Sequence, residues 1–583
     1  MKTNLTKTFF ALLLAMATTT NTLAAPKKGK TVKLRMIETT DVHGRFFPYD
    51  FVRQQPTEGS LARVSSYVDS LRNLYGDRLL LMDAGDVLQG QPVVTYYNYE
   101  KTDVPNVASG VSNYLRYDVQ TMGNHDVETG HAVYDRWVSQ GRYPVLGAYQ
   151  IYVRSCKPYW KPYTILKRQG VRIAVLGMIT PCIPMWLPQN LWENLRFDDQ
   201  EAIARQYMPE MQRQADVIVG LFHSGVGNDT VTTPCAEHAA VAVARRVPGF
   251  DVVFCGHDHR EAHRLVQNVA GKEVLVLNPA ANAHVVAQAD VTLTLKGKKV
   301  IDKKVQGRVV SVLNEQPHAG FMQHFAKQYE AVRQFTSKRI GRSTAAMTTT
   351  PAFFGPSAFI DFIHQMQLDI SGADISFAAP LAMDAAIPEG DIHVRDMFNL
   401  YRYENMLYVM KLTGREVKDY LEYSYAHWTA QMYAPTDHML LFRVNAHEFA
   451  DAWQRLQYPS YNFDSAAGIC YTVDLTKPVG QKINITQMAD GTPFSLSTTY
   501  RCAVNSYRGN GGGYLLTKGA GIAADDLPKR IVWSTDKDLR YYLMTRIEQM
   551  GTISPAPLNQ WRFIPEDWAT QAQKTDEKLL QSF

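Results

Sequence analysis

Short apolar runs, each followed at once by Asp, Asn, His or Gly, recur through the first half of the chain. Residues 34–37 lead into Thr40-Asp41-Val42-His43-Gly44, 79–82 into Asp83-Ala84-Gly85-Asp86, and 117–122 into Gly123-Asn124-His125-Asp126. Residues 217–222 lead into His223-Ser224-Gly225, and 252–255 into Gly256-His257-Asp258-His259. Apolar runs this short, bounded by turn residues and separated by helical stretches, predict buried strands of a layered α/β fold. The polar clusters would then share one edge of the sheet, where open α/β sheets carry their sites.

From about residue 319 to 338 the apolar positions take helical spacing, with no Gly or Pro after Gly320, which predicts a connecting helix. A second mixed domain follows, with a helix expected at 416–425, a strand at 471–475 and a loop in the Gly-rich stretch 508–513. There is no internal repeat and no low-complexity tract. The predicted layout is a leader at 1–24, a first domain at 31–312, a linker helix at 313–340 and a second domain at 341–583. In the leader, Lys2 and Lys7 precede the apolar run 9–16 and the small residues of Thr22-Leu23-Ala24-Ala25, as in a secretory signal peptide. The run falls well short of the ~20 residues that span a bilayer. No Cys lies near the cleavage point, and no later segment is long and apolar enough to span. The expectation is an exported protein, periplasmic or extracellular, without a membrane span.

Composition narrows this little. At 583 residues the chain exceeds one core, so two or more domains are expected, and 45% apolar with 20% charged residues is ordinary for a globular protein. The formal charge of +5 falls to +3 without Lys2 and Lys7, and no Lys/Arg run marks a polynucleotide-binding face. A single nucleotide suits that balance better. Oligomeric state is left open, with a monomer sufficient. Of the six cysteines none forms a CxxC pair, which argues against a zinc knuckle. Cys470 and Cys502 fall in the same predicted domain and are a candidate disulfide, with buried free thiols the equal alternative.

The chemistry lies in the strand-end clusters. Any one Asp, Asn or His there is explained by turn formation. Asp41, His43, Asp86, Asn124, His223, His257 and His259 together supply seven carboxylate, amide and imidazole groups from five clusters. Such a set can hold two divalent metals bridged by one carboxylate, and mixed N/O donors suit zinc, manganese, iron or cobalt better than calcium. Two ions ~3.5–4 Å apart clamp the attacking and leaving oxygens of an in-line phosphoryl displacement.

In these motifs the chain resembles the calcineurin-like metallophosphoesterases, specifically the 5'-nucleotidase family with its C-terminal nucleotide-binding domain. The matching residues are Asp41-Val42-His43, Gly85-Asp86, Gly123-Asn124-His125-Asp126, His223-Ser224-Gly225 and Gly256-His257-Asp258-His259. The resemblance implies a layered β-sandwich flanked by helices, followed by a second α/β domain. It also implies that Asp41, His43, Asp86 and His259 bind one metal, and that Asp86 bridges to a second completed by Asn124, His223 and His257. His125 matches the family's catalytic histidine, which stabilises charge on the transferring phosphoryl group. An acidic residue three positions on often orients that histidine. Here it is Glu128, for which a solvated loop carboxylate is the equal alternative.

The second domain carries a looser match in Tyr461-Asn462-Phe463-Asp464 and Asn505-Ser506-Tyr507-Arg508, the latter followed by Gly509-Asn510-Gly511-Gly512-Gly513. By resemblance, Phe463 and Tyr507 sandwich the nucleobase, with Tyr461 a nearby substitute, and Asn505, Gly511 and Gly512 belong to the same substrate-binding motif. Stacking of this kind contributes ~1–3 kcal/mol per base. Two departures from the 5'-nucleotidase pattern stand out. Phe377-Ala378-Ala379-Pro380 stands where those enzymes carry an Asn-Gly-Gly-Gly-x-Arg stretch, and Gly513 stands where they carry an acidic residue. The Tyr507-Arg508-x-x-Gly511-Gly512 form and the Tyr461-Asn462-Phe463-Asp464 form look instead like the 2',3'-cyclic-nucleotide 2'-phosphodiesterase/3'-nucleotidase branch. The function implied is hydrolysis of 2',3'-cyclic nucleotides and nucleoside 3'-monophosphates, with a hinge near 315–340 closing the two domains on each other. The alternatives are a 5'-nucleotidase or broad nucleotide or nucleotide-sugar phosphohydrolase and, in another class, an inactive surface nucleotide-binding or host-interaction protein.

Overall fold

The computed structural model describes residues 29–148, 150–228 and 235–581, so the predicted leader at 1–24 lies outside it. The N-terminal half is built on two six-stranded sheets. The first runs in the order Lys299–Ser311, Val285–Lys296, Lys30–Thr39, Leu79–Asp83, Val119–Thr121, Val145–Leu146. The second runs Glu261–Gln267, Glu273–Pro279, Val252–Cys255, Val217–His223, Val171–Ile179, Tyr163–Arg168. In each, the strands that end at the polar clusters are parallel neighbours; antiparallel strands close both edges of the second sheet and one edge of the first, whose other edge is the parallel strand Val145–Leu146.

The strands are uniformly apolar because both faces are covered. Leu34, Met36, Leu80 and Met82 of one sheet meet Ile173, Val175, Val219 and Leu221 of the other in a core between the sheets. Helices such as Leu61–Tyr75 cover the outer side, where Val64, Val68 and Leu71 join a second core. The result is a four-layer α/β sandwich, as the resemblance implied. All five predicted strands are present, slightly extended or trimmed: Lys30–Thr39, Leu79–Asp83, Val119–Thr121, Val217–His223 and Val252–Cys255.

The connecting segment is two helices, Ala319–His324 and Ala326–Ser337, meeting at Phe325. Val332 packs into that second, outer core, whereas Phe335 packs against the C-terminal half and against Tyr96 of the N-terminal half. The C-terminal half has a five-stranded sheet in the order Ser465–Ala467, Ile375–Ala378, Thr499–Asn505, Leu407–Thr413, Ile531–Ser534. Helix Gly414–Trp428 packs on it and begins at a capping box: Thr413 accepts from Glu416 N (3.2 Å) and Glu416 accepts from Thr413 N (2.7 Å). A three-stranded sheet holds Ile469–Asp474 between Ile483–Met488 and Trp561–Ile564. Among the described residues no helix is long and apolar enough to cross a membrane.

Here one open alternative is decided and one expectation fails in part. Cys470 and Cys502 are free thiols, because they lie on strands of different sheets. The disulfide joins Cys182 to Cys235 instead. The stretch expected as a loop at 508–513 begins inside a one-turn helix, Ser506–Gly509, whose first turn is capped by the Asn505 side chain accepting from Arg508 N (2.8 Å).

Candidate active site

The seven strand-end groups converge where the two sheets meet. Asp41 N donates to Gly85 O and His43 N to Asp86 O, both at 2.9 Å, which ties the first two clusters together. The third is tied by Asp126: its carboxylate accepts from Asp86 N, Val87 N, Leu88 N and Gly123 N, all at 2.8 Å. A Cβ on Gly123 would stand 2.0 Å from Asp86 Oδ1, so only glycine permits this approach. Asp126 sits within a motif the sequence displays, yet its organising role does not follow from spacing.

Asp41, His43, Asp86, His257 and His259 all have left-handed backbones, with φ of 49°, 48°, 59°, 76° and 54°. Such a conformation costs a non-glycine residue about 1 kcal/mol or more, and it persists only where surrounding bonds enforce it. Each strand therefore turns sharply at its end and aims the next side chain inward.

Two groups of potential ligands result, Asp41–His43–His259 and Asp86–His223–His257, the donor atoms within each lying no more than 4.8 Å apart. In the first, His43 Nε2 and His259 Nε2 face each other at 3.1 Å, and they stand 4.0 and 3.2 Å from Asp41 Oδ1. That oxygen is buried and accepts no hydrogen bond. In the second, His223 Nε2 lies 3.1 Å from Asp86 Oδ2 and 3.0 Å from Asn124 Oδ1. The outer nitrogens of two rings face backbone carbonyls: His43 Nδ1 with Gln89 O at 3.0 Å and His223 Nδ1 with Ala84 O at 2.8 Å. Each carbonyl keeps its proton on Nδ1, so the Nε2 lone pair points at carboxylate and amide oxygens. Electron-pair donors aimed at one another need a cation between them, and this donor set fits two divalent ions of the zinc, manganese, iron or cobalt kind.

The electrostatics agree. Burial opposes ionisation of Asp41 and Asp86, but His223 acting with His259 on the first, and with His125 and His43 on the second, outweighs it and holds both carboxyls below the ordinary range. Burial opposes charge on His223 in turn, but Asp86 and Asp41 raise it to about 9. The pocket thus demands positive charge beside its carboxylates, whether protons or metal ions carry it. Burial and the neighbouring His259 lower His43 to about 4.

His125 stands beside this centre. Its backbone N–H donates to Asp86 Oδ1 (2.8 Å), and its Nδ1 meets Glu128 Oε2 at 2.6 Å. Glu128 is buried at 8% exposure and is not a solvated loop carboxylate. Burial disfavours charge on His125, but the Asp86 and Glu128 carboxylates raise it to about 10.

The aromatic half departs from expectation. Phe463 is fully buried and stacks on Trp428 with centroids 5.7 Å apart and planes 6° from parallel, so it is part of the domain core and cannot reach a base. The aromatic that faces Tyr507 is Tyr461, 36% exposed, with ring centroids 6.4 Å apart and planes at 85°. One buried arginine holds this pair in place. Arg508 forks onto Asp464 (2.7 and 3.1 Å) and donates to Asn462 Oδ1, Gly512 O and Tyr461 O at 3.1, 2.6 and 2.9 Å. A Cβ on Gly513 would lie 2.1 Å from its guanidinium, so Gly513 makes room for Arg508. The Asn505 side chain caps the short helix, and Gly512 packs beneath the Tyr507 ring, so these residues shape the turn.

The two halves touch beside the centre. Asn510 Nδ2 reaches Trp186 O at 3.5 Å, and Trp186 stacks on His257 with centroids 5.6 Å apart. Glu237, 2.9 Å from His257 Nε2, lies within electrostatic reach of both Tyr461 and Tyr507. Thr95 and Tyr99 donate to Glu404 at 3.1 and 3.2 Å on another part of the boundary. Sequence reasoning missed Trp186, Glu237 and Arg508, since each matters through a partner distant in the chain.

Residues 34–261 match the family model for calcineurin-like phosphoesterases, and residues 339–518 match that for the 5'-nucleotidase C-terminal domain. The chain is 27% identical over 93% of its length to the trifunctional nucleotide phosphoesterase protein YfkN of Bacillus subtilis, of which it spans only 39%. It is 26% identical to the 2',3'-cyclic-nucleotide 2'-phosphodiesterase/3'-nucleotidase of Yersinia enterocolitica, covering 96% of this chain and 92% of that one. A Staphylococcus aureus structure solved with alpha-ketoglutarate superposes with a TM-score of 0.76 at 23% identity, covering 91% of this chain and 100% of that one, which speaks to the fold.

Proposed function

The chain belongs to the calcineurin-like phosphoesterases that carry a 5'-nucleotidase C-terminal domain, and on that premise we propose that it hydrolyses 2',3'-cyclic nucleotides and nucleoside 3'-monophosphates to nucleosides and phosphate. The observation that carries this reading is the convergence of His223 Nε2, Asp86 Oδ2 and Asn124 Oδ1, with Tyr461 and Tyr507 within electrostatic reach of Glu237, which contacts His257. The likeness to the Yersinia enterocolitica enzyme over nearly the whole length of both chains supports the substrate class.

In this reading Asp41, His43, Asp86 and His259 hold one ion, and Asp86, Asn124, His223 and His257 the other. Bound there, the ions supply Lewis acidity to the phosphoryl oxygens and to the attacking water. The protein's own groups do the rest. Glu128 fixes the His125 ring through Nδ1, which leaves Nε2 to donate to a phosphoryl oxygen as charge builds on it. The Asp86 carboxylate fixes the same residue through its backbone N–H, so metal binding and charge stabilisation share one rigid turn. Tyr461 and Tyr507 hold the nucleobase, one against its face and the other at its edge. With Arg508 consumed by Asp464, and with Phe377-Ala378-Ala379-Pro380 in place of the stretch that carries a phosphate-gripping arginine, the phosphate is left to the metals and His125. We further propose export directed by residues 1–24, and a scavenging role outside the cytoplasm.

Phosphate release from 3'-AMP, 5'-AMP and 2',3'-cyclic AMP, measured in parallel with manganese, tests the reading. The cyclic and 3' substrates are expected to lead. Faster turnover of 5'-AMP would transfer the chain to the 5'-nucleotidases, and no metal-dependent hydrolysis at all would leave a nucleotide-binding scaffold.

A further inference from the structure

His257 is gripped from two sides by segments far apart in the chain. Trp186, at the end of the short turn Ile183–Trp186, stacks on one face of its ring at 26°. Glu237 Oε1 meets its Nε2 at 2.9 Å from the other segment. The Cys182–Cys235 disulfide, spanning 53 residues, welds the two: Cys182 immediately precedes the Trp186 turn, and Cys235 lies two residues before Glu237. The Glu237 segment is docked further by Ser224, whose Oγ donates to Glu237 O (2.8 Å) and accepts from Ala239 N (3.0 Å), directly beside His223.

A metal-binding imidazole usually donates its other ring N–H to a carboxylate or carbonyl, which fixes the ring and makes it a better electron donor. Backbone carbonyls do this for His43 and His223. The acceptor on His257 is the Glu237 carboxylate, carried on a loop that no sheet supports. We propose that Glu237 is a positioning residue for His257, leaving its other ring nitrogen for the second ion, and that the Cys182–Cys235 disulfide holds Glu237 in that role. The inference rests on reading His257 as a ligand of that ion.

The test is metal binding by the full chain, stripped and reloaded with cobalt, followed by calorimetry and by the visible spectrum of the bound ions. Wild type is expected to take two ions. Glu237→Ala should keep the first and bind the second about 10–100-fold more weakly, with an altered cobalt spectrum. Glu237→Gln, which retains an acceptor oxygen, should lose less, and Cys182→Ser with Cys235→Ser should shift binding in the same direction as Glu237→Ala. The thermal midpoint of stripped Glu237→Ala should match wild type, which separates positioning from folding. Unchanged second-ion affinity in Glu237→Ala would overturn the proposal. So would a third ion in wild type, since Glu237, His238 and His257 also lie within ligand distance of one another and Glu237 would then be a ligand itself. Fewer than two ions in wild type would instead overturn the two-metal reading.

Discussion

In the N-terminal half the functional side chains hang from the ends of parallel strands clamped between two sheets, whereas in the C-terminal half Tyr461 and Tyr507 are held by one buried ion pair, Arg508 with Asp464. The first arrangement spreads its support over many backbone hydrogen bonds, such as the four that Asp126 accepts. The second concentrates support in a single guanidinium that makes all its bonds within one turn and one neighbouring segment. Precise donor geometry needs the distributed frame. A stacking surface for bases of varied shape tolerates the simpler one.

Five tests would break or sharpen that contrast, beginning with the most severe. Asp86→Ala removes the carboxylate shared by both ligand groups, so activity should fall to background and neither ion should remain after dialysis, measured by elemental analysis. His125→Ala should keep both ions yet lower kcat by about 10²–10³-fold, as loss of one preorganised donor does. If its ions leave too, His125 belongs to the frame and not to the chemistry. Arg508→Met strands the Asp464 carboxylate in the core and should cost about 3–5 kcal/mol in urea unfolding of the C-terminal half. Adding Asp464→Leu should restore much of that loss, because the pair is replaced as a whole.

The aromatic residues give the sharpest contrast. Tyr507→Ala or Tyr461→Ala should weaken nucleotide binding by about 1–3 kcal/mol, read as a raised KM, with little loss of stability. Phe463→Ala should do the reverse, destabilising by about 3–5 kcal/mol as a core truncation while the KM of the folded fraction stays close to wild type. A pH dependence also belongs to the C-terminal half, and it is small near neutral pH. His364 is buried between the Ser376 and Ser465 hydroxyls, and burial lowers it to about 3. Below pH 6.5 the unfolded chain takes up a proton that the folded ring refuses. The contribution of His364 to stability should therefore fall by about 1.4 kcal/mol per pH unit from 6.5 down towards 3 and be constant above 6.5, read as the difference between wild type and His364→Gln. His364→Gln should remove that slope.

The same contrast explains what could be read in advance. Asp41, His43, Asp86, Asn124, His223, His257 and His259 were legible because ligand-type residues follow apolar runs, and strand ends bring such positions together wherever the sheets place them. Tyr461 and Phe463 were not separable. They are two residues apart on one segment, and which faces out depends on Trp428 filling the core and on Arg508 drawing in the Tyr461 carbonyl. The disulfide was equally hidden, because Cys182 and Cys235 belong to loops that meet only when the second sheet is assembled. A Gly-rich stretch announces a turn, but not that Asn505 would wind its start into helix.

The left-handed backbone at five of the seven strand-end positions has an evolutionary consequence. Asp, Asn and His are the side chains that best tolerate this conformation, and they are also the hard and borderline donors of the centre. Geometry therefore filters the alphabet from which these ligands can be drawn. Exchanges among Asp, Asn and His are open to drift or design, whereas Glu or Cys, which would bring longer reach or a softer donor, must first overcome the turn. Metal preference here is guarded by the bend of the chain before it is tuned by the chemistry of the donors.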